Sequence, residues 1–521
     1  MKKIRRALIS VSDKTGISNL AKILVQYDIE LLSTGRTTRH LERAGVQTRE
    51  ISEFTGFPEI LDGRVKTLHP KIYGGLLAVR DNPEHIEQAS AHGMEPIDLI
   101  VCNLYPFEET IAQAGVELAE AIENIDVGGP TLIRAAAKNQ CDVAVVTNPG
   151  QYPDIISELE MNDGSLSAET RFGLAKSAFA YTAQYDVAIS SYLSNLHSSD
   201  DDFPEILDLH YEKAQNLRYG ENPHQKAALY RSATAPESCA VWAEQLNGQP
   251  LSFNNILDLE AAVEIVKEFD VPACAIVKHN NPCGLATGEN LVQAFNYALE
   301  CDRISAFGSV IGLNRNVTIQ TANAIREAGN AGVKIEAIIA PSFTEKALKA
   351  LSRVQHRRIL AIGPIFQNDS LKQFRNVIGG ILVQDTDRLE IKPDELQVVT
   401  RRSPTDAEIE SLLFAWKACR NVKSNCILLA QGSKSVGIGA GQMSRVDACI
   451  IAGRKAGKRA EGAVLASDAY FPFPDAIEIA GKAGVSAVIQ PGESVNDRQV
   501  IEVADRYHMA MVFTRVRHFR H

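Results

Sequence analysis

The stretch ACAIVKHNNPCGLATG, residues 273–288, decides how the second part of the chain is read. Pro272 precedes Ala-Cys-Ala-Ile-Val, and so short an apolar run bounded by turn residues predicts a strand buried on both faces. Lys278, His279, Asn280 and Asn281 follow with no apolar residue among them. Pro282 and Gly284 then predict a turn, which leaves four polar side chains at the end of a buried strand. In α/β proteins such strand ends are where ligands bind. Lys278 and His279 are also useful chemical neighbours. An ammonium beside an imidazole favours the neutral ring that a general base requires, and it can stabilise a developing oxyanion. A solvated polar loop is the plainer reading, and the buried strand before it and the Asn-Pro-Cys-Gly turn after it favour a site.

The same residues raise a metal alternative, because zinc deaminases carry His-x-Glu and later Pro-Cys-x-x-Cys. The run from His279 through Pro282 and Cys283 to Ala286 lacks both the Glu and the second Cys. It reads as a deaminase-like loop without its metal.

Composition sets the frame for this loop. A chain of 521 residues with 45% hydrophobic and 23% charged residues is ordinary globular composition, enough for two large domains or three average ones. A formal net charge of -10 argues against a broad surface for nucleic acid or anionic membranes, so an anionic ligand must be met by local basic clusters. The nine cysteines are scattered and never spaced C-x-x-C, which fits reduced thiols in a cytosol rather than disulfides or a zinc site. No apolar run approaches membrane-spanning length, and MKKIRR leads into a strand rather than a signal-peptide core. A soluble, cytoplasmic protein is expected.

Upstream, strand and helix patterns alternate. RALISVS (6–12) predicts a strand and Thr15-Gly16 opens a helix; IELLST (29–34) predicts a second strand, followed by Gly35-Arg36-Thr37-Thr38 and another helix. Two strands ending in Ser/Thr/Gly clusters at helix N-termini form the arrangement that binds phosphate, although Ser and Thr are also the commonest helix caps. Residues 62–71 supply Arg64, Lys66, His69 and Lys71, the cations such a site needs. DLIVCN (98–103) predicts a buried strand that delivers Leu104-Tyr105-Pro106-Phe107, and 124–130 leads into a helix ending near Lys138. A last strand at 142–147 and a helix over 168–193 complete a parallel α/β domain. The polar, acidic 195–202 reads as a linker. Beyond it come a strand near Leu207, a turn-rich loop at 218–225, strands at 336–340 and 427–430, and three aromatics with two prolines and two carboxylates at 466–475 that suggest a slot for a flat ring. GIGAG (437–441) is not G-x-G-x-x-G, and no G-x-x-x-x-G-K-[ST] occurs, so neither a dinucleotide nor ATP is expected. Helix-strand patterns over 257–277 and 405–430, each ending beside a polar cluster, suggest an internal duplication.

The motifs SVSDKTG (10–16), GRVKTLHP (63–70), CNLYPF (102–107), RYGENPHQ (218–225), KHNNPCG (278–284), GIGAGQMSR (437–445) and the C-terminal RHFRH resemble, in this order, those of one family. It is the bifunctional purine-biosynthesis family that joins an aminoimidazole carboxamide ribonucleotide (AICAR) formyltransferase to an inosine monophosphate (IMP) cyclohydrolase. The resemblance implies an α/β protein with a methylglyoxal-synthase-like domain over residues 1–196, which cyclises formyl-AICAR to IMP. It implies a formyltransferase domain of two cytidine-deaminase-like halves over residues 203–521, which uses 10-formyltetrahydrofolate as co-substrate. No tightly bound cofactor, no metal, no nucleic acid and no membrane partner is implied, and the transferase site is formed across a homodimer.

By the same resemblance, Ser10, Ser12, Lys14, Thr34, Gly35, Thr37, Arg64, Lys66, Thr67, Cys102, Asn103, Asp126 and Val127 hold the nucleotide in the first domain. Lys138 is its proton donor and acceptor, with Tyr105, Asp126 and Lys66 in the catalytic set. In the second, Lys278 is the oxyanion stabiliser and His279 the base. Arg218, Tyr219, Gly308, Glu336, Asn425 and Arg445 hold AICAR, some from the second subunit, and Val446, Tyr470, Asp475, Gly492, Glu493 and Arg517 line either ligand. Two residues depart from the family pattern. Arg36 stands in the second phosphate loop where Gly is usual, so it either adds a phosphate contact or crowds the loop, and Glu493 replaces another usual Gly beside the folate. Rival classes are an enzyme that retains one activity and a nucleotide-binding regulator without turnover. Lys138 and the Lys278-His279 pair, all present, disfavour both.

Overall fold

Short apolar runs alternate with amphipathic stretches through the first part of the chain, and each run becomes a strand. The computed structural model describes residues 1–113, 115–196 and 203–521, in two units, 1–210 and 211–521. In the first unit β1 (Arg6–Val11), β2 (Glu30–Ser33), β3 (Arg49–Glu50), β4 (Leu99–Asn103) and β5 (Ala144–Val146) form one sheet in the order β3-β2-β1-β4-β5. All four pairings are parallel. Parallel neighbours require crossovers, and α1 (Ile17–Gln26), α2 (Gly35–Arg43), α3 (Gly128–Lys138) and α4 (Ala168–Leu196) cover the sheet. The period of two is visible along β1. Ala7 and Ile9 join a core with Leu20 and Leu24 of α1, and Leu8 joins the opposite core with Leu132 and Ile133 of α3.

The expected linker at 195–202 lies, from 197 on, outside the described residues. No strand forms near Leu207; the first strand of the second unit is Glu212–Leu217, paired with Ala227–Arg231. Residues 206–209, Ile-Leu-Asp-Leu, offer too short an apolar run to outweigh the absence of a pairing partner.

The second unit is built on a twelve-stranded sheet. Its strands are β6 (Glu244–Asn247), β7 (Ala273–Lys278), β8 (Asn281–Thr287), β9 (Ser309–Leu313), β10 (Ile335–Ala340), β11 (Arg358–Ala361), β12 (Gln397–Val398), β13 (Ile427–Gln431), β14 (Lys434–Gly439), β15 (Val464–Ser467), β16 (Ala487–Gln490) and β17 (Ala510–Phe513). Their order, β6-β11-β10-β9-β7-β8-β14-β13-β15-β16-β17-β12, is a palindrome of two equivalent sets of six. Each set has the same senses: antiparallel at the hairpin, at its flank and at the outer edge, parallel between. The helices repeat as well: α5 (Phe253–Lys267), α6 (Leu291–Cys301), α7 (Ile319–Asn330) and α8 (Glu345–Leu351) against α9 (Asp406–Cys419), α10 (Arg445–Ala456), α11 (Asp475–Lys482) and α12 (Asp497–Arg506).

The duplication extends to single residues. Both hairpins shift register at the same step, between Ile276 and Val277 and between Leu429 and Ala430. A Cβ on Gly284 would stand 1.9 Å from the Ala298 carbonyl of α6, and one on Gly437 2.2 Å from the Ala452 carbonyl of α10. Two glycines at equivalent positions are thus required by the same close approach of helix to strand. Gly437 and Gly439 of GIGAG serve this packing.

The decisive stretch turns elsewhere than its prolines and glycines predict. The chain reverses at His279 and Asn280, both left-handed at φ 52° and 60°, and Asn281–Thr287 is a strand. Pro282 is tolerated there because it sits beside the bulge, where a ladder N–H is not needed. The counterpart turn of the second half is Gly432 and Ser433.

Beneath this sheet α5 carries a buried charge cluster. Lys267 reaches Glu237 at 2.5 Å and Glu264 at 2.6 Å, while Glu260 accepts from the Ala240 N–H at 2.7 Å. Burial, reinforced by Glu264, pushes the Glu260 carboxyl up to about 7; the Ala240 N–H and Lys267 oppose it. A carboxyl raised in the folded state contributes stability that is complete below its usual range and lost as pH climbs towards 7. Glu260→Gln, which keeps an acceptor for Ala240, should therefore be more stable than the native chain at pH 8 by about 1–3 kcal/mol and no more stable at pH 4.5, measured by urea unfolding at the two pH values.

Candidate active sites

In the first unit, parallel pairing brings the carboxyl ends of β1, β2 and β4 to one edge of the sheet. Ser10 and Ser12, Thr34 and Gly35, and Cys102 and Asn103 therefore gather there. Asn103 ties the first loop down: its Oδ1 accepts from the N–H groups of Ser12 at 2.6 Å and Asp13 at 2.9 Å, and its Nδ2 donates to the Asp13 carbonyl at 2.9 Å. Thr37 Oγ1 donates to the Val11 carbonyl at 3.2 Å, which holds the start of α2 against β1. The Lys14 ammonium donates to the Ser12 carbonyl at 3.1 Å. Arg36 is exposed, and Arg64 pairs with Glu123.

Beside Thr34 and Gly35 lies a narrow cavity of about 20 Å³ whose walls include Lys66 and two carboxylates that the motifs did not single out, Glu50 and Glu59. The 64–67 loop meets the amino end of α3, where a Cβ on Gly128 would be 3.2 Å from Thr67 Oγ1. Asp126 folds over that helix end and accepts from the Gly129 N–H at 2.8 Å; a side chain on Gly129 would collide with its carboxylate at 2.6 Å. Burial raises the Asp126 carboxyl, and the Gly129 N–H, the Lys66 charge and the Tyr105 N–H offset part of that rise. Asp126, Lys66, Thr67 and Tyr105 thus share one environment.

Lys138 does not. It is the last residue of α3, exposed, and separated from Asp126 by the length of the helix, about 15 Å at 1.5 Å per residue. The segment after it joins the opposite edge of the sheet, where Ala144 N–H donates to Asp98 O at 2.8 Å.

In the second unit the strand senses bring a different set of ends together. The carboxyl end of β7, the amino ends of β9, β10 and β13, and the carboxyl ends of β14 to β17 all fall on one edge. Lys278 and His279, Gly308, Glu336, Asn425, Arg445 with Val446, Tyr470, Gly492, Glu493 and Arg517 are strung along it. Arg218 and Tyr219 approach the same edge, since both act on the charge of Arg358 at the start of β11. Asp475 begins α11 and is exposed.

Lys278 Nζ donates to the Phe307 carbonyl at 2.8 Å, beside Gly308 with its φ of 79°. The left-handed His279-Asn280 turn is held by Asp258 of α5, whose Oδ1 accepts the Asn280 N–H at 2.7 Å. Burial raises the Asp258 carboxyl, and the N–H groups of Asn280 and His279 pull it back. Asn281 Oδ1 accepts from Lys423 N–H at 3.0 Å and so links this turn to the second half. There Asn425 accepts from Arg445 at 2.6 Å, and Arg445 also bonds Ser467 Oγ at 2.7 Å and pairs with the fully buried Asp468. Asp468 further accepts the Cys426 N–H at 3.1 Å and the Ser424 hydroxyl.

Motif reading missed Asp258 and met Asp468 only as one of two carboxylates in the 466–475 stretch. Their one signal is a carboxylate in an apolar setting, FNNILDLEAAV and VLASDAYF, and its partners appear only in three dimensions. The aromatic slot at 466–475 does not form. Phe471 is fully buried in the core beside α10 and α11, whereas Tyr470 and Phe473 are exposed, so the three rings do not line one slot. Glu493 has φ 72°, a conformation that favours Gly; its N–H donates to Asp497 at 2.8 Å and its carboxylate lies 3.5 Å from Arg515. Among the described residues no group of three or more His, Cys, Asp or Glu could hold a metal, and no helix is long and apolar enough to cross a membrane.

Two families match the chain: the one described as AICARFT/IMPCHase bienzyme over residues 136–455, and the one described as MGS-like domain over residues 16–131. The Bifunctional purine biosynthesis protein PurH of Halalkalibacterium halodurans is 49% identical over 517 residues, covering 99% of this chain and 100% of its own. Proteins of the same name from Bacillus cereus and Bacillus anthracis match at 49% identity and the same coverage. A solved structure titled Crystal structure of ForH matches at 35% identity over 37% of this chain and 100% of its own, with a TM-score of 0.35, too low to carry a fold argument.

Arg445 and Asp468 are both nearly or fully withdrawn from solvent, so removing one leaves the other charged and unpaired. Asp468→Ala should cost about 3–5 kcal/mol, read from urea unfolding followed by tryptophan fluorescence, since both tryptophans, Trp242 and Trp416, lie in this unit. Arg445→Met added to Asp468→Ala should restore part of that loss.

Proposed function

The chain belongs to the AICARFT/IMPCHase bienzyme family, and from that premise we propose how its residues divide the work. It is a bifunctional enzyme of purine biosynthesis, an AICAR formyltransferase and IMP cyclohydrolase. The first unit closes the ring and the second transfers the formyl group, with the domain boundary between residues 196 and 203. The observation that carries this division is that each unit gathers its own set of reactive groups at one sheet edge.

For formyl transfer the nucleophile is the AICAR amine, weakened by its aromatic ring. His279 takes its proton as nitrogen attacks the formyl carbon of 10-formyltetrahydrofolate, and Lys278 stabilises the oxyanion. Asp258 is a positioning residue, since it holds the turn that aims His279. Glu336, Asn425 and Arg445 bind AICAR, with Arg218 and Tyr219 at its phosphate, and Val446, Tyr470, Asp475, Gly492, Glu493 and Arg517 border AICAR or the folate. A second copy of the chain completes the site, and no cofactor stays bound between turnovers. The reaction takes place in the cytoplasm.

For ring closure the carboxamide nitrogen attacks the new formyl carbonyl and water leaves. Ser10, Ser12, Lys14, Thr34, Gly35, Arg36, Thr37, Arg64 and Thr67 take the phosphate and ribose, and Cys102, Asn103 and Val127 border the base. Asp126, its carboxyl raised by burial, exchanges protons at the reacting atoms with Lys66 and Tyr105. Lys138 acts as donor and acceptor only for a substrate that reaches the far end of α3 or is held by a second chain.

Single substitutions separate the two chemistries. His279→Ala should lower formyl transfer about 10²–10⁴-fold and still cyclise supplied formyl-AICAR. Asp126→Asn should make formyl-AICAR and fail to convert it, and mixing the two variants should restore IMP. Lys138→Ala is expected to behave as Asp126→Asn does; native cyclisation by Lys138→Ala would remove it from the reaction and leave Asp126, Lys66 and Tyr105. Formyl transfer that survives His279→Ala while cyclisation is lost would reverse the assignment of chemistry to units.

A further inference from the structure

We propose that a cavity at the amino end of β11, between α7 and α8, binds a phosphate-bearing anion. It encloses about 400 Å³, the size of a small-molecule site. Arg326, Asn330, Lys334, Arg353, His356 and Arg357 line it, and no carboxylate is among its described lining residues. In a chain of net charge -10, an acid-free cavity with four permanent cations is unusual.

The decisive group is Arg357. The residue is 4% exposed, its Nε donates to the Ile335 carbonyl at 3.3 Å, and its buried Nη1 has no partner among the described residues. Burial and the charge of Arg326 both act against its protonated form. A guanidinium withdrawn from water without an acid is strongly disfavoured, and a planar fork of donors is matched by phosphate oxygens. Lys334 on the rim is held by Glu336 at 2.7 Å, whereas Arg326 meets only the neutral amide of Asn323 at 3.3 Å, so among the described residues Arg326, Arg353 and Arg357 have no acid opposite them. The next residue, Arg358, turns the other way, towards the Pro250 carbonyl at 3.3 Å and the side of Glu336 and Arg218. Arg357 therefore faces away from Arg358 and Arg218, and only Lys334, on the rim, touches a group assigned to AICAR, Glu336.

The test is calorimetric titration of the full chain with inorganic pyrophosphate at low ionic strength, with AICAR and IMP saturating and no formyl donor present. One further site per chain is expected. Arg326→Ala with Arg353→Ala should weaken that site at least 10-fold and leave both activities unchanged. Arg357→Met should abolish the rise in Tm that pyrophosphate causes in the native protein. Absence of a further site, a site indifferent to all three substitutions, or citrate binding as tightly as pyrophosphate would overturn the proposal.

Discussion

The second unit depends on one narrow seam, the pairing of β8 with β14, which joins the two copies of its fold. Ala286 stands opposite Lys434, and the buried Ser435 hydroxyl accepts from Leu285 N–H and donates to the Leu285 carbonyl, both at 2.9 Å. Thr287 N–H donates to the Ser433 carbonyl at 2.9 Å. Because the pairing is antiparallel, the His279 turn of the first half and the Asn425-Arg445 cluster of the second emerge on the same edge. A parallel seam would have sent them to opposite edges of the sheet, beyond the reach of one substrate.

Duplication also explains why the chain has one such edge rather than two. The position equivalent to Lys278 is Gln431, and Gly432 and Ser433 form the equivalent turn. The site corresponding to Asp468, just after β15, is Asn314 after β9. Each accepts the N–H at the head of a neighbouring strand, Cys426 at 3.1 Å and Ala273 at 2.8 Å. An amide performs this structural task as well as a carboxylate does. Only the carboxylate can also pair with a buried arginine, so at this position the ion pair belongs to the half where Arg445 is present.

Both sites use carboxylates whose ionisation is set by burial rather than by neighbouring cations alone. Asp126 and Asp258 are each raised by desolvation and pulled back by backbone N–H groups. Their roles differ with what they face. Asp126 closes a helix end beside Lys66, where a proton can be exchanged, and Asp258 lies under a strained turn, where its task is to fix the direction of His279.

Much of this was legible in the sequence. The parallel first unit followed from alternating apolar runs, and the gathered Ser, Thr, Asn and Lys residues at its strand ends followed from their position beside helix starts, because side-chain periodicity and capping act over a few residues. KHNNPCG announced its chemistry through residue types alone. Its geometry was hidden: the chain turns at His279-Asn280 and Pro282 continues a strand, because the bulge exists only once the two strands pair and the Asp258 acceptor that holds the turn lies outside the stretch. The distance between Lys138 and Asp126 was equally hidden, since a motif gives spacing along the chain and a helix converts twelve positions into separation. The sequence by itself determined which residues could form strands, caps and reactive pairs, since those are local preferences. The tertiary structure alone decided which strand ends share an edge, which carboxylates are buried and which cation has no acid opposite it, since each depends on packing between segments far apart in the chain.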